Sequence, residues 1–154
     1  MNIVDELHAI AGALRDAGIP YAVCGGIAVT AHGATRSTKD IDIAIAREHL
    51  TSALAAVAPL GYSIPAAPMT FGVGTAQERH VQRVNKIVGA HHLVLDLLIA
   101  EAAYQGVLDD RIEVALPAGT VAFVSRETLL RMKRLAGRAI DLADIEKLEG
   151  GSDA

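Results

Sequence analysis

Apolar residues at the start of the chain recur at a helical spacing. Ile3, Leu7, Ile10 and Leu14 share one face, Asn2 stands at the cap position, Asp5 falls in the first turn, and Gly18 with Pro20 ends the run. Tyr21-Ala-Val-Cys24 then reads as a short buried strand ending in Gly25-Gly26, followed by a brief alanine-rich helix over 27–32 that Gly33 closes. Residues 34–38 read as a polar loop. Lys39-Asp-Ile-Asp-Ile-Ala-Ile45 alternates, with Ile41, Ile43 and Ile45 on one face and Asp40 and Asp42 on the other.

Leu50, Leu54 and Val57 predict a helix over 48–58, stopped by Pro59 and Gly61. Patterning fades from Tyr62 to Val88, where strands are expected over 69–73 and 80–88. His92-Leu-Val-Leu-Asp-Leu-Leu-Ile99 is a strand with one acid, Asp96, set in an apolar run. Short strands over 112–116 and 121–124 flank Pro117 and Gly119; Ser125 caps a helix to about Leu135, Gly137 breaks it, and 139–148 forms the last helix. This order predicts an α+β fold, an α/β sandwich with helices on a mixed sheet. With no Ser/Pro-rich linker and no repeat, 1–149 reads as one domain, with its core over 20–100, a helical segment over 125–149 and a frayed tail over 150–154.

Composition narrows the class. At 154 residues, 51% apolar content and a mean hydropathy of +0.33, the chain has the means to bury a core and is not a disordered segment. Its 14 basic residues against 18 acidic ones give a net charge of −4, which excludes a globally basic nucleic-acid coat and leaves only local patches. The single cysteine, Cys24, excludes a disulfide framework and a four-thiol zinc site, reads as a buried thiol, and points to the cytoplasm. No apolar run reaches membrane-spanning length, and Asp5 and Glu6 stand where a signal peptide carries positive charge, so no membrane partner is expected. Aromatic residues at 3%, with no tryptophan, argue against a stacking platform for single strands.

Candidate chemistry centres on three acids that interrupt apolar strands: Asp40, Asp42 and Asp96. Strand residues two apart share a face, about 6.6 Å apart along the chain. Carboxylates brought to about 4 Å would repel by about 4 kcal/mol at a surface-like dielectric, a cost that a Mg²⁺ or Mn²⁺ ion converts into a binding site. A third carboxylate from a neighbouring strand would admit a second cation. The competing readings are ordinary solvent-facing alternation for Asp40 and Asp42, and a buried salt bridge to Arg36 or Lys86 for Asp96. Gly25-Gly26 before a helix suits close backbone approach to a phosphate, or simply a tight turn. Gly72-Val-Gly-Thr lacks the P-loop lysine and reads as a hairpin turn, and His91-His92 lacks ligand partners and reads as a turn or surface pair.

The ordered segment Val23-Cys-Gly-Gly-Ile-Ala-Val-Thr-Ala-His-Gly-Ala-Thr-Arg-Ser-Thr-Lys-Asp-Ile-Asp-Ile resembles the core of the DNA polymerase β-type nucleotidyltransferase superfamily, whose signature is a glycine turn, an Asp-x-Asp strand and a later single Asp. Its details resemble the branch holding lincosamide nucleotidyltransferases and the toxin-type nucleotidyltransferases of abortive-infection systems. Lys133 to Ile145 resembles the helical segment of the toxin type. The resemblance is fullest over 21–45, extends to 93–98 and 132–145, and is absent from 61 to 90. It implies that Asp40 and Asp42 hold the metal ions and an NTP, that Asp96 completes the site and helps deprotonate the acceptor, and that Gly25 and Gly26 cradle the β- and γ-phosphates. Arg36 and Thr38 would steady the phosphates or the geometry. At Gly26 the family often carries Ser, so only backbone donors remain there.

Lys133 and Arg138 fit as phosphate contacts or as a solvated basic face, and Asp141 and Asp144 as partners of Arg138 rather than metal ligands. Two basic clusters, one of Arg126, Arg131, Lys133, Arg134 and Arg138 and one of Arg79, Arg83 and Lys86, would attract a triphosphate or a polynucleotide. The implied activity is transfer of an NMP from an NTP to an acceptor hydroxyl of tRNA, protein or a small molecule, within a toxin–antitoxin or phage-defence setting and with a possible cognate partner protein. The resemblance sets a further expectation, that the larger C-terminal domain usual in full-length members is missing and the acceptor-binding half is reduced or supplied by a partner. The alternative is an inert nucleotide-binding or antitoxin-type module on the same fold.

Overall fold

The computed structural model describes residues 2–33 and 40–151. Helix α1 runs over Ile3–Asp16; the Asn2 side chain accepts from the Val4 amide at 2.8 Å, and Leu7, Ile10 and Leu14 are buried. Strand β1 spans Tyr21–Cys24 and leads directly into α2 (Gly25–Ala31), so the glycine pair begins the helix instead of preceding it. Strand β2 covers Asp40–Ile45, and α3 covers Leu50–Val57 between two single 3₁₀ turns. The weakly patterned middle folds as β3 (Ile64–Pro65), β4 (Met69–Phe71) and β5 (Arg79–Val88). Then come β6 (His91–Ile99), β7 (Ile112–Leu116), β8 (Gly119–Phe123), α4 (Arg126–Ala136) and α5 (Ala139–Gly151). Helix α5 thus includes Gly150 and Gly151, which the sequence pattern assigns to the tail.

The strands form one mixed sheet in the order β3-β5-β6-β2-β1-β8-β7, with β4 also on β5. Strand β2 is antiparallel to β1 and parallel to β6, and β5 and β6 form a hairpin. The two faces differ in kind. Ile41, Ile43 and Ile45 with Leu95 and Leu97 give one face a fully buried apolar core. Helix α1 covers this face, where Glu6 accepts from Lys86 Nζ at 2.7 Å and from the Tyr62 hydroxyl at 2.9 Å. The opposite face carries Asp42, Asp96 and Arg83 and is covered by α4 and α5. Gly72 and Gly74 do shape a hairpin turn, between β4 and β5, and Cys24 is buried as expected. No helix among the described residues is long and apolar enough to cross a membrane.

Candidate active site

Register brings four side-chain positions into one row across four strands. Cys24 on β1 pairs with Asp42 on β2, Asp42 with Asp96 on β6, and Asp96 with Arg83 on β5. Neighbouring strands lie about 4.8 Å apart, so the two carboxylates are adjacent. Asp40 is one pleat along β2, at its exposed end. Burial, then Asp96, then Asp40 push the Asp42 carboxyl from its ordinary value near 3.8 up to about 7. The Cys24 thiol is driven up by burial first and by Asp42 second, which keeps it protonated and unreactive.

Asp96 does not pair with Lys86, and the alternative partner Arg36 lies outside the described residues. Both its oxygens accept from Arg83, Nε to Oδ1 at 2.8 Å and Nη2 to Oδ2 at 3.0 Å. Lys86 projects from the other face of β5, three residues along, and is held by Glu6. Sequence reasoning missed the Arg83 role although a signal existed. A two-residue turn at Gly89-Ala90 sets Val88 opposite His91, and counting back along the hairpin sets Arg83 opposite Asp96.

Gly25 lies against Asp42. Its φ is +67°, and a Cβ placed there would stand 1.9 Å from Asp42 Oδ2. Gly26 is buried in the first turn of α2 and is not among the residues that line the cavity next to the carboxylates. Arg36 and Thr38 lie outside the described residues.

That cavity, about 430 Å³, lies between the sheet and α4–α5 and brings together Gly25, Asp42, Asp96, Lys133 and Arg138. Both basic residues are held in place by acids. Lys133 Nζ, buried, reaches Asp141 at 3.3 Å and Asp144 at 3.1 Å. Arg138 Nε donates to Asp141 Oδ2 at 2.7 Å, and the Arg138 amide donates to the same oxygen at 3.2 Å, as a capping carboxylate does at a helix start. Burial alone would raise the Asp141 carboxyl, but Arg138 and Lys133 outweigh it and hold the group below its usual range. Lys133 is therefore no solvated basic face, whereas the Arg138 side chain remains largely in water.

The basic clusters are dispersed. Arg134 pairs with Glu149, Arg126 donates to the Leu148 carbonyl, Arg131 donates to the Gln105 carbonyl, and Arg79 lies over Phe71. Among the described residues no three acidic, histidine or cysteine side chains converge as a closed metal cage. The donors nevertheless suit a hard divalent cation, which is commonly held by one or two carboxylates together with substrate phosphates. Burial first, and then the acids Asp96 and Asp40 whose charge a cation would neutralise, drive Asp42 toward protonation.

A sequence family described as aminoglycoside-2''-adenylyltransferase matches residues 6–89, more than half of the chain. The chain belongs to that family. The match takes in Gly25, Asp40 and Asp42 and runs through the stretch from 61 to 89, where the motif resemblance stops; it ends before Asp96. No curated protein matches in sequence.

Solved structures similar to this aminoglycoside-2''-adenylyltransferase family member share its fold. A protein of Thermotoga maritima assigned as a nucleotidyltransferase is 12% identical, with 97% of this chain and 93% of that one covered and a TM-score of 0.66. The lincosamide antibiotic adenylyltransferase LnuA, solved with lincomycin, is 17% identical over 94% of this chain and 95% of its own, with a TM-score of 0.61. ANT(2'')-Ia, solved with adenylyl-2''-tobramycin, is 17% identical over 96% and 88%, with a TM-score of 0.58. The family match makes the chain a member of the nucleotidyltransferase superfamily, and the solved structures share its fold.

Proposed function

We propose that the protein transfers an NMP from an NTP to the hydroxyl of a small molecule, with Mg²⁺ or Mn²⁺ as cofactor. The observation that carries this reading is the adjacency of Asp42 and Asp96 beside Gly25 in a cavity closed by Lys133 and Arg138. Asp40 and Asp42, with Asp96, would hold the divalent cation. When bound, that cation would neutralise triphosphate charge and polarise the α-phosphoryl group.

The protein's own groups account for the rest. Gly25 offers an approach without a side chain, and Arg138, with its guanidinium largely in water, meets the β- and γ-phosphates. Gly26 contributes backbone only, Lys133 adds fixed positive charge from its buried pair, and Arg36 and Thr38 steady the phosphates. Asp96 accepts the acceptor's proton while Arg83 fixes its orientation. The acceptor oxygen attacks the α-phosphorus, the bond to the bridging oxygen breaks, and pyrophosphate leaves. Antibiotic hydroxyls are an acceptor class to test, because the names of LnuA and ANT(2'')-Ia describe antibiotic adenylylation by those proteins. The dispersal of the basic clusters among internal partners disfavours a tRNA acceptor.

A second reading, an inert nucleotide-binding module, draws on the Arg83 fork that occupies both oxygens of Asp96. One experiment separates the two. Purified protein with Mg²⁺, each α-labelled NTP and a panel of hydroxylated acceptors, RNA and lysate should label a small molecule and release pyrophosphate, and Asp42→Asn should abolish this. NTP binding without transfer to any acceptor favours the inert module; label on RNA or protein favours a toxin-type acceptor.

A further inference from the structure

Past Asp96, strand β6 runs on to Ile99, and a single 3₁₀ turn over Ala102–Tyr104 then brings Tyr104 back to the cavity wall. That turn is strained. Ala102 has a φ of +51°, in the left-handed region that favours glycine, and among the described residues no other residue with a side chain has a positive φ. Contacts on both sides hold it. The Ala103 amide donates to the Glu78 carbonyl at 2.9 Å, and Arg47 Nε donates to Glu101 at 2.7 Å. Arg131 donates to the Ala103 and Gln105 carbonyls at 3.5 and 3.2 Å. Strain that the surroundings maintain points to a side chain whose placement matters.

Tyr104 is only 6% exposed, yet among the described residues no protein group accepts its phenolic proton. Arg79 faces the hydroxyl, itself fixed by the Gln77 carbonyl at 3.1 Å and by the Phe71 ring, whose centroid is 5.1 Å away. A guanidinium only donates, so Arg79 leaves that proton unclaimed. Asp42 acts on the hydroxyl through its charge and not through a hydrogen bond. The cavity is the space where the proton meets a partner. Strand direction says which partner. Cys24 pairs with Asp42 on the antiparallel strand β1, so Gly25 lies toward the start of β2, whereas Tyr104 follows the end of the parallel strand β6. They flank the carboxylate pair from opposite ends. An in-line displacement sets the leaving pyrophosphate and the attacking oxygen on opposite sides of phosphorus. With phosphates at Gly25, the Tyr104 end belongs to the acceptor.

We propose that Tyr104 binds the acceptor, its phenol donating a hydrogen bond to an oxygen of the acceptor alcohol and holding the attacking hydroxyl against Asp96. This rests on the transferase reading above. An uncharged donor serves alcohols with or without ammonium groups. The test compares the wild type with Tyr104→Phe, which removes the hydroxyl and keeps the ring. On the full chain with Mg²⁺, calorimetry records binding of a non-hydrolysable ATP analogue first. Binding of two polyhydroxylated probes, tobramycin and lincomycin, to the analogue complex follows, and melting temperatures monitor the fold of the variant.

Tyr104→Phe should weaken each probe that the wild type binds by about fivefold, the loss of one neutral hydrogen bond, while affinity for the analogue changes by less than about twofold. A probe loss below about threefold shows a phenol that serves packing alone and overturns the assignment. A matching loss for the analogue puts the phenol on the nucleotide and overturns it too, as does binding of neither probe to a wild type that takes the analogue. Failure of the wild type to bind the analogue is a separate result and instead overturns the transferase reading.

Discussion

Gly25 and Asp42 are in such close contact that any other residue at position 25 would collide with the carboxylate, its Cβ lying 1.9 Å from Oδ2. The positive φ of +67° adds backbone strain for any residue with a side chain. Both effects converge on the group proposed to hold the cation. Gly25→Ala is therefore expected to cut transfer by at least about a hundredfold, because displacement of a reacting group by an ångström costs that much. The same change should cost about 1–3 kcal/mol of stability. Rates of labelled-nucleotide transfer and a urea melt of the variant measure the two effects.

Asp42 also makes stability depend on pH. Its carboxyl rises from an ordinary value near 3.8 to about 7, chiefly by burial and then by Asp96. Between these values the folded chain keeps a proton that the unfolded chain has lost, so stability falls as pH climbs from about 4 to 7 and the cost is complete above that. The full cost is on the order of 4 kcal/mol. Asp42→Asn should thus be more stable than wild type at pH 8, with the gain vanishing toward pH 4. Mg²⁺ should raise the wild-type melting temperature at pH 8 and do little at pH 5.5, where the ligand is protonated. Thermal melts across pH, with and without Mg²⁺, check both.

Periodicity and residue order made the strands of the site legible. The alternation of Asp40–Ile45 placed Asp42 opposite the buried isoleucines, and the apolar flanks of Asp96 placed it in a central strand. What periodicity does not carry is which strand lies beside which. The pairing of Asp42 with Asp96 is a parallel contact between strands separated by α3, β3, β4 and β5, and such long-range register has no local code. The same limit hid Phe71 and Arg79, whose segment has little alternation of its own and gains its place by pairing with β5 and β6. Arg83 was different. The short turn at Gly89-Ala90 contained its partner, but grouping Arg79, Arg83 and Lys86 by charge obscured that Arg83 and Lys86 point to opposite faces.

Lys133 and Arg138 should separate in their effects, although the sequence offers them as equivalent phosphate contacts. Lys133 is buried between Asp141 and Asp144, and Lys133→Met leaves that site without its ammonium, a loss of about 3–5 kcal/mol of the kind seen when one member of a buried ion pair is removed. Arg138, with its side chain 69% exposed, should cost less than about 1 kcal/mol when changed to Ala. The binding order is the reverse, with Arg138→Ala weakening NTP about tenfold. Urea unfolding and nucleotide titration of the two variants measure the crossover.

Arg83 decides between the active and inert readings. Its fork fixes both oxygens of Asp96 in one plane, at 2.8 and 3.0 Å, and a lysine, with a single charge centre, cannot reproduce that geometry. If the pair orients Asp96 toward the acceptor, Arg83→Gln lowers the transfer rate by about tenfold or more while NTP affinity changes by less than about threefold. Arg83→Lys then recovers little of the rate. If the fork blocks Asp96, the same glutamine variant transfers faster than wild type. Single-turnover transfer and equilibrium NTP binding, measured on both variants, show which sign holds. A slower glutamine variant with intact NTP binding assigns Arg83 to the positioning of Asp96.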